Sequence, residues 1–339
     1  MSVALPGWGN GASCLCSWPG NGVAVAARAA LPVERTERRP YTHADAKNER
    51  QGACMRPSEH WKELVLARQR QMDAAYAHLG RSSSDFWERR ADRFRSVARV
   101  ASEDDPVVRR VLKLATPEGT VLDVGAGTGR FAVALAPHVR HLTAVEPSPA
   151  MVRHLRDALA AAGTTNVTVI EQRWEDVTVA PATAVLCAHV LYPIVEPVPF
   201  IQKLEAHATR AVVLAMMVTW AEPPLMATLW RRYHGEERVG QPEAFDAIAV
   251  LHEMGIPANV TVHALPGGQG MWSFHDLDEA VTAAREHLIL PPDPAVEAVL
   301  RTALEGELVP AEGRLVLPQP QRAVACIWWE RDGPRRPPL

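Results

Sequence analysis

The run Thr120-Val-Leu-Asp-Val-Gly-Ala-Gly-Thr-Gly-Arg-Phe-Ala-Val-Ala-Leu135 decides the fold. Apart from Asp123, its first five residues are apolar or β-branched, as in a strand buried within a parallel sheet. Gly125, Gly127 and Gly129 then make a turn without β-carbons, where the backbone can take positive φ and approach a ligand closely. From Thr128 or Gly129 the pattern predicts a helix, because Phe131, Leu135 and Val139 recur along one apolar face. Strand, bend and helix start leave unpaired N–H groups above the strand's carboxyl end.

Outward from this run the α/β alternation continues. His141–Val145 reads as a strand ending at Glu146; Ser148 caps the next helix, Pro149 starts it and Gly163 closes it. Val167–Ile170, Thr183–Ala188 and Ala211–Val218 read as further strands, with a helix at Val198–His207. Strands separated by helices at this spacing predict βαβ units and a doubly wound, mostly parallel sheet. Upstream, helices are expected at Ser58–Leu79, Asp85–Phe94 and from Pro106 to Leu114. Downstream, helices are expected at Glu222–Tyr233, Glu243–Met254, Leu277–His287 and Pro294–Leu304. Strands are expected there at Asn259–Ala264, Arg314–Leu317 and Ala323–Trp329.

A dinucleotide fingerprint would read G-x-G-x-x-G, with a pyrophosphate over the helix start. Here the spacing is G-x-G-x-G and an acid stands two places ahead, which repels a phosphate and suits an ammonium group. Asp123-Val-Gly-Ala-Gly-Thr-Gly129 resembles the first motif of the class I S-adenosylmethionine (SAM) methyltransferases. The resemblance implies an α/β fold with a doubly wound, seven-stranded, mostly parallel sheet. N-terminal helices would precede it, and a helical insertion would come before the last strand. Asn259–Ala264 and Ala323–Trp329 would then be the antiparallel sixth and seventh strands. Residues 57–104 would be lid helices, since a Phe-Trp-x-x-Arg-Ala pattern precedes the domain in many bacterial small-molecule members. Phe86, Trp87 and Phe94 could cover the cofactor or simply pack on the domain. The methyltransferase domain itself would run over 105–331, with substrate-side insertions at 220–257 and 266–320.

In open α/β sheets ligands bind beyond the strand carboxyl ends, at the point where the winding reverses. By resemblance, Asp123 would meet the amino group of SAM, and Gly125, Ala126, Gly127 and Gly129 would line it. Glu146, beside Pro147, would accept the ribose hydroxyls. After the third strand, Glu175 or Asp176 would take the adenine amino group; Trp174 would stack on the purine or pack against a helix. After the fourth, Ala188 and His189 would line the cofactor, with His189 and Tyr192 facing the methyl group. His189 could accept a proton from the acceptor or only shape the pocket. Within Trp220–Gly240 and Gly267–Leu290, Trp230, Tyr233, His234, Met271 and Trp272 could form the acceptor wall or pack an enlarged fold. The reaction implied is in-line displacement of the SAM methyl group onto an O, N or C atom of a small molecule, leaving S-adenosylhomocysteine (SAH). A non-catalytic SAM-binding protein, or an NAD(P)-dependent oxidoreductase, is the alternative.

Composition bounds the rest. Of 339 residues, 47% are hydrophobic and 22% charged, the balance of an ordinary globular chain. A formal net charge of −3 supplies no field to recruit nucleic acid, and no apolar run approaches the roughly 20 residues that span a bilayer. The odd, scattered cysteines (Cys14, Cys16, Cys54, Cys187, Cys326) carry no zinc-site spacing, nor do His234, His252, His263 and His275, so no metal is expected. A reducing cytoplasm is the expected setting. Residues 1–56, rich in Gly, Ala and Pro and then in unpatterned charge, read as disordered, and a true start at Met55 would leave residues 1–54 upstream of it. Residues 332–339 read as a tail, and oligomeric state is not legible.

Overall fold

The computed structural model describes residues 55–80, 101–220, 222–265 and 272–331. The expected helix Asp85–Phe94, with Phe86, Trp87 and Phe94, lies outside the described residues, as do Met271, the tail and all but the last two residues of 1–56.

Seven strands form the main sheet: β1 (Thr120–Val124), β2 (His141–Val145), β3 (Val167–Ile170), β4 (Ala182–Ala188), β5 (Ala208–Met217), β6 (Asn259–Ala264) and β10 (Ala323–Glu330). Their order is β3-β2-β1-β4-β5-β10-β6. The first five are parallel, and β10 runs antiparallel to both β5 and β6. This is the fold class expected from the sequence. The chain winds outward from β1 to β3 and then returns to β4 on the other side of β1, so the switch point lies between β1 and β4.

Alternation along the strands feeds a core on each face. Leu122, Val124, Val185, Cys187, Val212 and Leu214 pack beneath α5 (Pro197–Ala206) and α7 (Ala244–Glu253). Val121, Ala184, Leu186 and Val213 meet Val108, Phe131, Leu135 and Leu155 on the opposite face. These last come from α2 (Pro106–Ala115), α3 (Arg130–Leu135) and α4 (Pro149–Ala161). Asp105 caps α2 through Val107 N at 2.9 Å, and Ser148 caps α4 as its position before Pro149 predicts.

Helix α1 (Pro57–Ala77) crosses the first of these faces. Trp61 is wholly buried and its indole N–H donates to Ile194 O at 2.7 Å. Ser58 donates to Glu253 on α7, and Lys62 pairs with Glu196 ahead of α5.

A third core belongs to the insertions. α6 (Pro224–His234), α8 (Leu277–His287) and α9 (Pro294–Glu305) pack with a small antiparallel sheet of β7 (Ser273–Phe274), β9 (Arg314–Val316) and β8 (Val309–Ala311). Trp230, 0% exposed, and Trp272, 8% exposed, are in its interior, and Trp230 stacks on His234 at 4.0 Å. His234 is further tied to Leu288 O. The rings of Trp230, His234 and Trp272 therefore pack the enlarged fold, covered by α6, α8 and α9.

Trp61→Ala is expected to cost roughly 3–5 kcal/mol of unfolding free energy, read as a lower urea midpoint. Trp61→Phe, which keeps most of the packing and loses only the bond to Ile194, should cost about 1 kcal/mol. Equal losses in the two variants would refute the packing account.

Candidate functional site

The site begins where β1 ends. Asp123 is held on both sides by the sheet, opposite Ala144 of β2 and Leu186 of β4, and is 2% exposed. Its Oδ2 has no hydrogen-bond partner among the described residues. Burial, and then repulsion from Glu146, push its carboxyl up to about 7. A carboxylate so placed lacks only a cation or a donor.

The bend beyond it is closed by backbone: Gly125 N and Ala126 N both donate to Val145 O, at 2.8 and 3.1 Å. A β-carbon on Gly125 (φ +74°) would lie 2.3 Å from Val190 Cγ2, so only glycine fits. Gly127 (φ +55°) differs, because a β-carbon there meets nothing within 4 Å. It faces open space above the helix start, room that a ligand can use. Gly129 caps α3 in the left-handed region.

Glu146 follows β2, 7% exposed. Its Oε2 accepts from Gly127 N and its Oε1 from Ser148 N, each at 2.9 Å. Burial raises its pKa, while these two bonds oppose the rise. Each oxygen keeps a lone pair, so a vicinal diol can still be received.

Beyond β4, Ala188 is followed by His189, whose φ of 60° is left-handed and whose N–H donates to Ala215 O at 2.8 Å. Burial of the ring, and then the positive charge of Arg130, lower its pKa to about 4, so the imidazole is neutral at pH 7. Tyr192 OH lies 2.9 Å from His189 Nδ1 and accepts from Met217 N at 2.8 Å. When the phenol proton goes to Nδ1, the imidazole proton stands on Nε2. Burial raises the Tyr192 pKa. Trp220 meets Tyr192 edge-on at 5.7 Å.

The third strand's residues divide. Trp174 is 4% exposed, its ring 5.1 Å from His207 and 6.5 Å from Phe200, with the Lys203 ammonium 4.9 Å from its centroid. It packs against α5 and offers no face to a purine, which corrects the stacking expectation. Glu175 and Asp176 are exposed and paired with Arg173. Pro147 is exposed beside Glu146.

One site residue has no counterpart in the sequence reading. Arg130, next after the glycines, pairs with Asp105 at 3.2 Å and sends its charge to His189. Among the described residues no group of three His, Cys, Asp or Glu side chains could hold a metal ion, and no helix is long and apolar enough to cross a membrane.

Residues 121–212 match the family described as a methyltransferase domain. Over 59 residues, 17% of this chain, the sequence is 42% identical to ribosomal RNA small subunit methyltransferase A of Thermobifida fusca. It is 48% identical, also over 59 residues, to the 23S rRNA (uracil(1939)-C(5))-methyltransferase of Chromohalobacter salexigens. The matches span 21% and 12% of those two proteins. Among solved structures, the YcgJ protein of Bacillus subtilis is similar at 14% identity and TM-score 0.45, with 67% of this chain and 98% of that one covered. The magnesium protoporphyrin IX methyltransferase of Synechocystis PCC 6803, in a structure with bound SAH, is similar at 16% identity and TM-score 0.38, covering 66% and 80%.

Two outcomes check this geometry without any ligand. Between about pH 4 and pH 7 the folded chain holds the Asp123 proton more tightly than the unfolded chain does, so this group's contribution to stability falls as pH rises through that window and is flat above it. Asp123→Asn should therefore melt higher than the parent at pH 8, with the gap closing toward pH 4. A gap independent of pH would refute the buried, unanswered carboxylate. Gly125→Ala should lower the melting temperature markedly, while Gly127→Ala, strained only by its φ, should cost about 1 kcal/mol.

Proposed function

We propose that this chain, which carries a class I methyltransferase domain over residues 121–212, moves the methyl group of SAM to an O, N or C atom of a small-molecule acceptor. The observation that carries the reading is the unanswered Oδ2 of buried Asp123, at the mouth of a glycine bend whose neighbour is Glu146. An ammonium group supplies the missing partner and lets the carboxylate ionise. The phosphate of a dinucleotide would sit against two acids, and this weighs against the oxidoreductase alternative.

In this reading Asp123 holds the amino group and Glu146 the ribose hydroxyls. Ala126 and Gly127 approach through backbone, the open space over Gly127 leaving room for it. Glu175 or Asp176 takes the adenine amino group. Ala188 and His189 line the cofactor from β4. When bound, SAM supplies an already activated sulfonium methyl, so the protein's task is mainly to align the acceptor in a dry pocket. His189 serves better as a donor from Nε2 than as a base, since Tyr192 occupies Nδ1 and the ring binds protons weakly. Tyr192 orients that ring.

Two curated relatives act on ribosomal RNA by name, which makes RNA the second reading. The net charge of −3 weighs against it, because holding a phosphate backbone needs a basic face. The buried free thiols Cys187 and Cys326 suit a cytoplasmic setting.

Calorimetric titration with SAH and with NADH tests the cofactor: SAH should bind and NADH should not. Incubation with methyl-labelled SAM and either a metabolite extract or total RNA tests the acceptor, and label is expected in the small-molecule fraction. SAH binding without label in either fraction would leave a non-catalytic SAM-binding protein. Because binding an ammonium requires Asp123 to ionise, SAH affinity should rise up to about tenfold per pH unit below pH 7 and then level off. Glu146→Ala should weaken SAH by roughly tenfold to a hundredfold. An unchanged affinity in that variant, with a flat pH profile, would sink the assignment.

A further inference from the structure

A second set of buried charges lies in the insertions, beyond the carboxyl end of β5. Arg238, in the loop between α6 and α7, donates through Nη1 to Glu222 Oε1 at 2.6 Å. Its side chain is 9% exposed, and its guanidinium carbon lies 4.4 Å from the centroid of the Trp230 ring. The same Glu222 oxygen meets His287 Nε2. From α1, Arg68 donates to Val239 O, and Gln71 clasps the same loop by bonds to Glu237 O and Val239 N, both 2.8 Å.

Two guanidiniums thus face a single carboxylate. The charges felt at Arg68 are those of Arg238, which repels it, and Glu222. Burial and that repulsion lower the Arg68 pKa to about 10, which still leaves it charged at neutral pH. Glu222 is held down to about 2 by His287 and Arg238 despite its burial, so it is fully an anion. Among Arg68, Arg238 and Glu222 one positive charge is left over and partly buried, an arrangement that folding disfavours unless a counter-anion arrives. Two donors in the same cluster also lack acceptors among the described residues: Arg238 Nε and the indole Nε1 of Trp230.

The cluster adjoins the methyl-transfer site. Glu222 is two residues from Trp220, a span of at most about 7 Å of chain, and the Trp220 ring meets Tyr192, the partner of His189. Arg68 is only half-buried, which leaves a side from which a small molecule can enter.

We propose that Arg68 and Arg238, with the indole N–H of Trp230, bind an oxyanion, a carboxylate or phosphate group carried by the methyl acceptor. Assigning the oxyanion to the acceptor rests on the methyltransferase reading; the anion site itself does not. Glu222 holds the Arg238 fork through Nη1, and Nε, which has no acceptor among the described residues, is left for the ligand.

The test titrates the full chain, with and without saturating SAH, using benzoate, phenyl phosphate and neutral benzamide as probes. At least one anion should bind about tenfold or more tightly than benzamide, and Arg68→Gln should remove most of that advantage while SAH affinity stays at the parent value. Whichever anion binds better identifies carboxylate or phosphate as the source. If Arg68→Gln fails to fold, the parent's preference for anions over benzamide, and its loss in high salt, decide the matter alone. Benzamide binding as well as benzoate and phenyl phosphate, or an anion preference that survives Arg68→Gln, overturns the proposal. SAH binding with no anion binding overturns it and spares the methyltransferase reading; anion binding without SAH binding does the reverse.

Discussion

Asp123 stands on a face of β1 where its neighbours within the sheet are apolar. Val121 precedes it on that side, and Leu186 and Ala144 flank it in register. The ladder bonds to β2 and β4 fix the main chain, so the carboxylate cannot turn outward to water. Left ionised and short of a partner at one oxygen, it works against the fold, and its proton affinity rises in consequence. A sheet built for stability alone would place valine here. Local rules broken without a compensating gain elsewhere mark functional positions, and this one lies at the topological switch point.

Glu146 couples the bend to the next helix. One oxygen holds Gly127 N, the other holds Ser148 N, and Ser148 in turn caps α4. The same carboxylate therefore shapes the ligand loop, anchors a helix start and keeps lone pairs facing outward. Its position raises the Asp123 pKa as well, since two acids share one enclosed volume. A cation entering between them relieves both the missing bond and the repulsion. That is the physical link between loop geometry and ligand preference.

What was legible in the sequence follows from how locally each feature is specified. Strands β1 to β6 and β10 and their helices carry strong periodicity and caps, and their boundaries fall within a few residues of the expected ones. β7 and β8 carry no such signal, being two and three residues long. The one cue there was Glu312-Gly313, a two-residue hairpin turn with positive φ at both positions. Trp174, Trp230 and Trp272 could not be assigned from type alone, because an aromatic suits a ligand wall and a core equally. What settles them is which helix lies over the ring. Arg68, Arg238, Glu222 and His287 come from four separate segments, so no spacing announces their meeting.

The division between a readable cofactor half and an unreadable acceptor half has the same root. The proposed cofactor end of the domain is made by strand ends and the turns that immediately follow, where a residue's place is fixed within a few positions. In the proposed reading the acceptor end would be supported by α1, which reaches across the molecule. Trp61 joins it to the loop after β4, Ser58 to α7, and Arg68 and Gln71 to the loop that carries Arg238. One helix thus ties the turn beyond His189 to the insertion core. Any pocket above β4 has α1 among its supports, and its shape depends on contacts between segments far apart in sequence. On the proposed function, acceptor preference would drift by exchange of a few side chains on α1 and the 235–240 loop, while Asp123, the glycines and Glu146 would keep the same task.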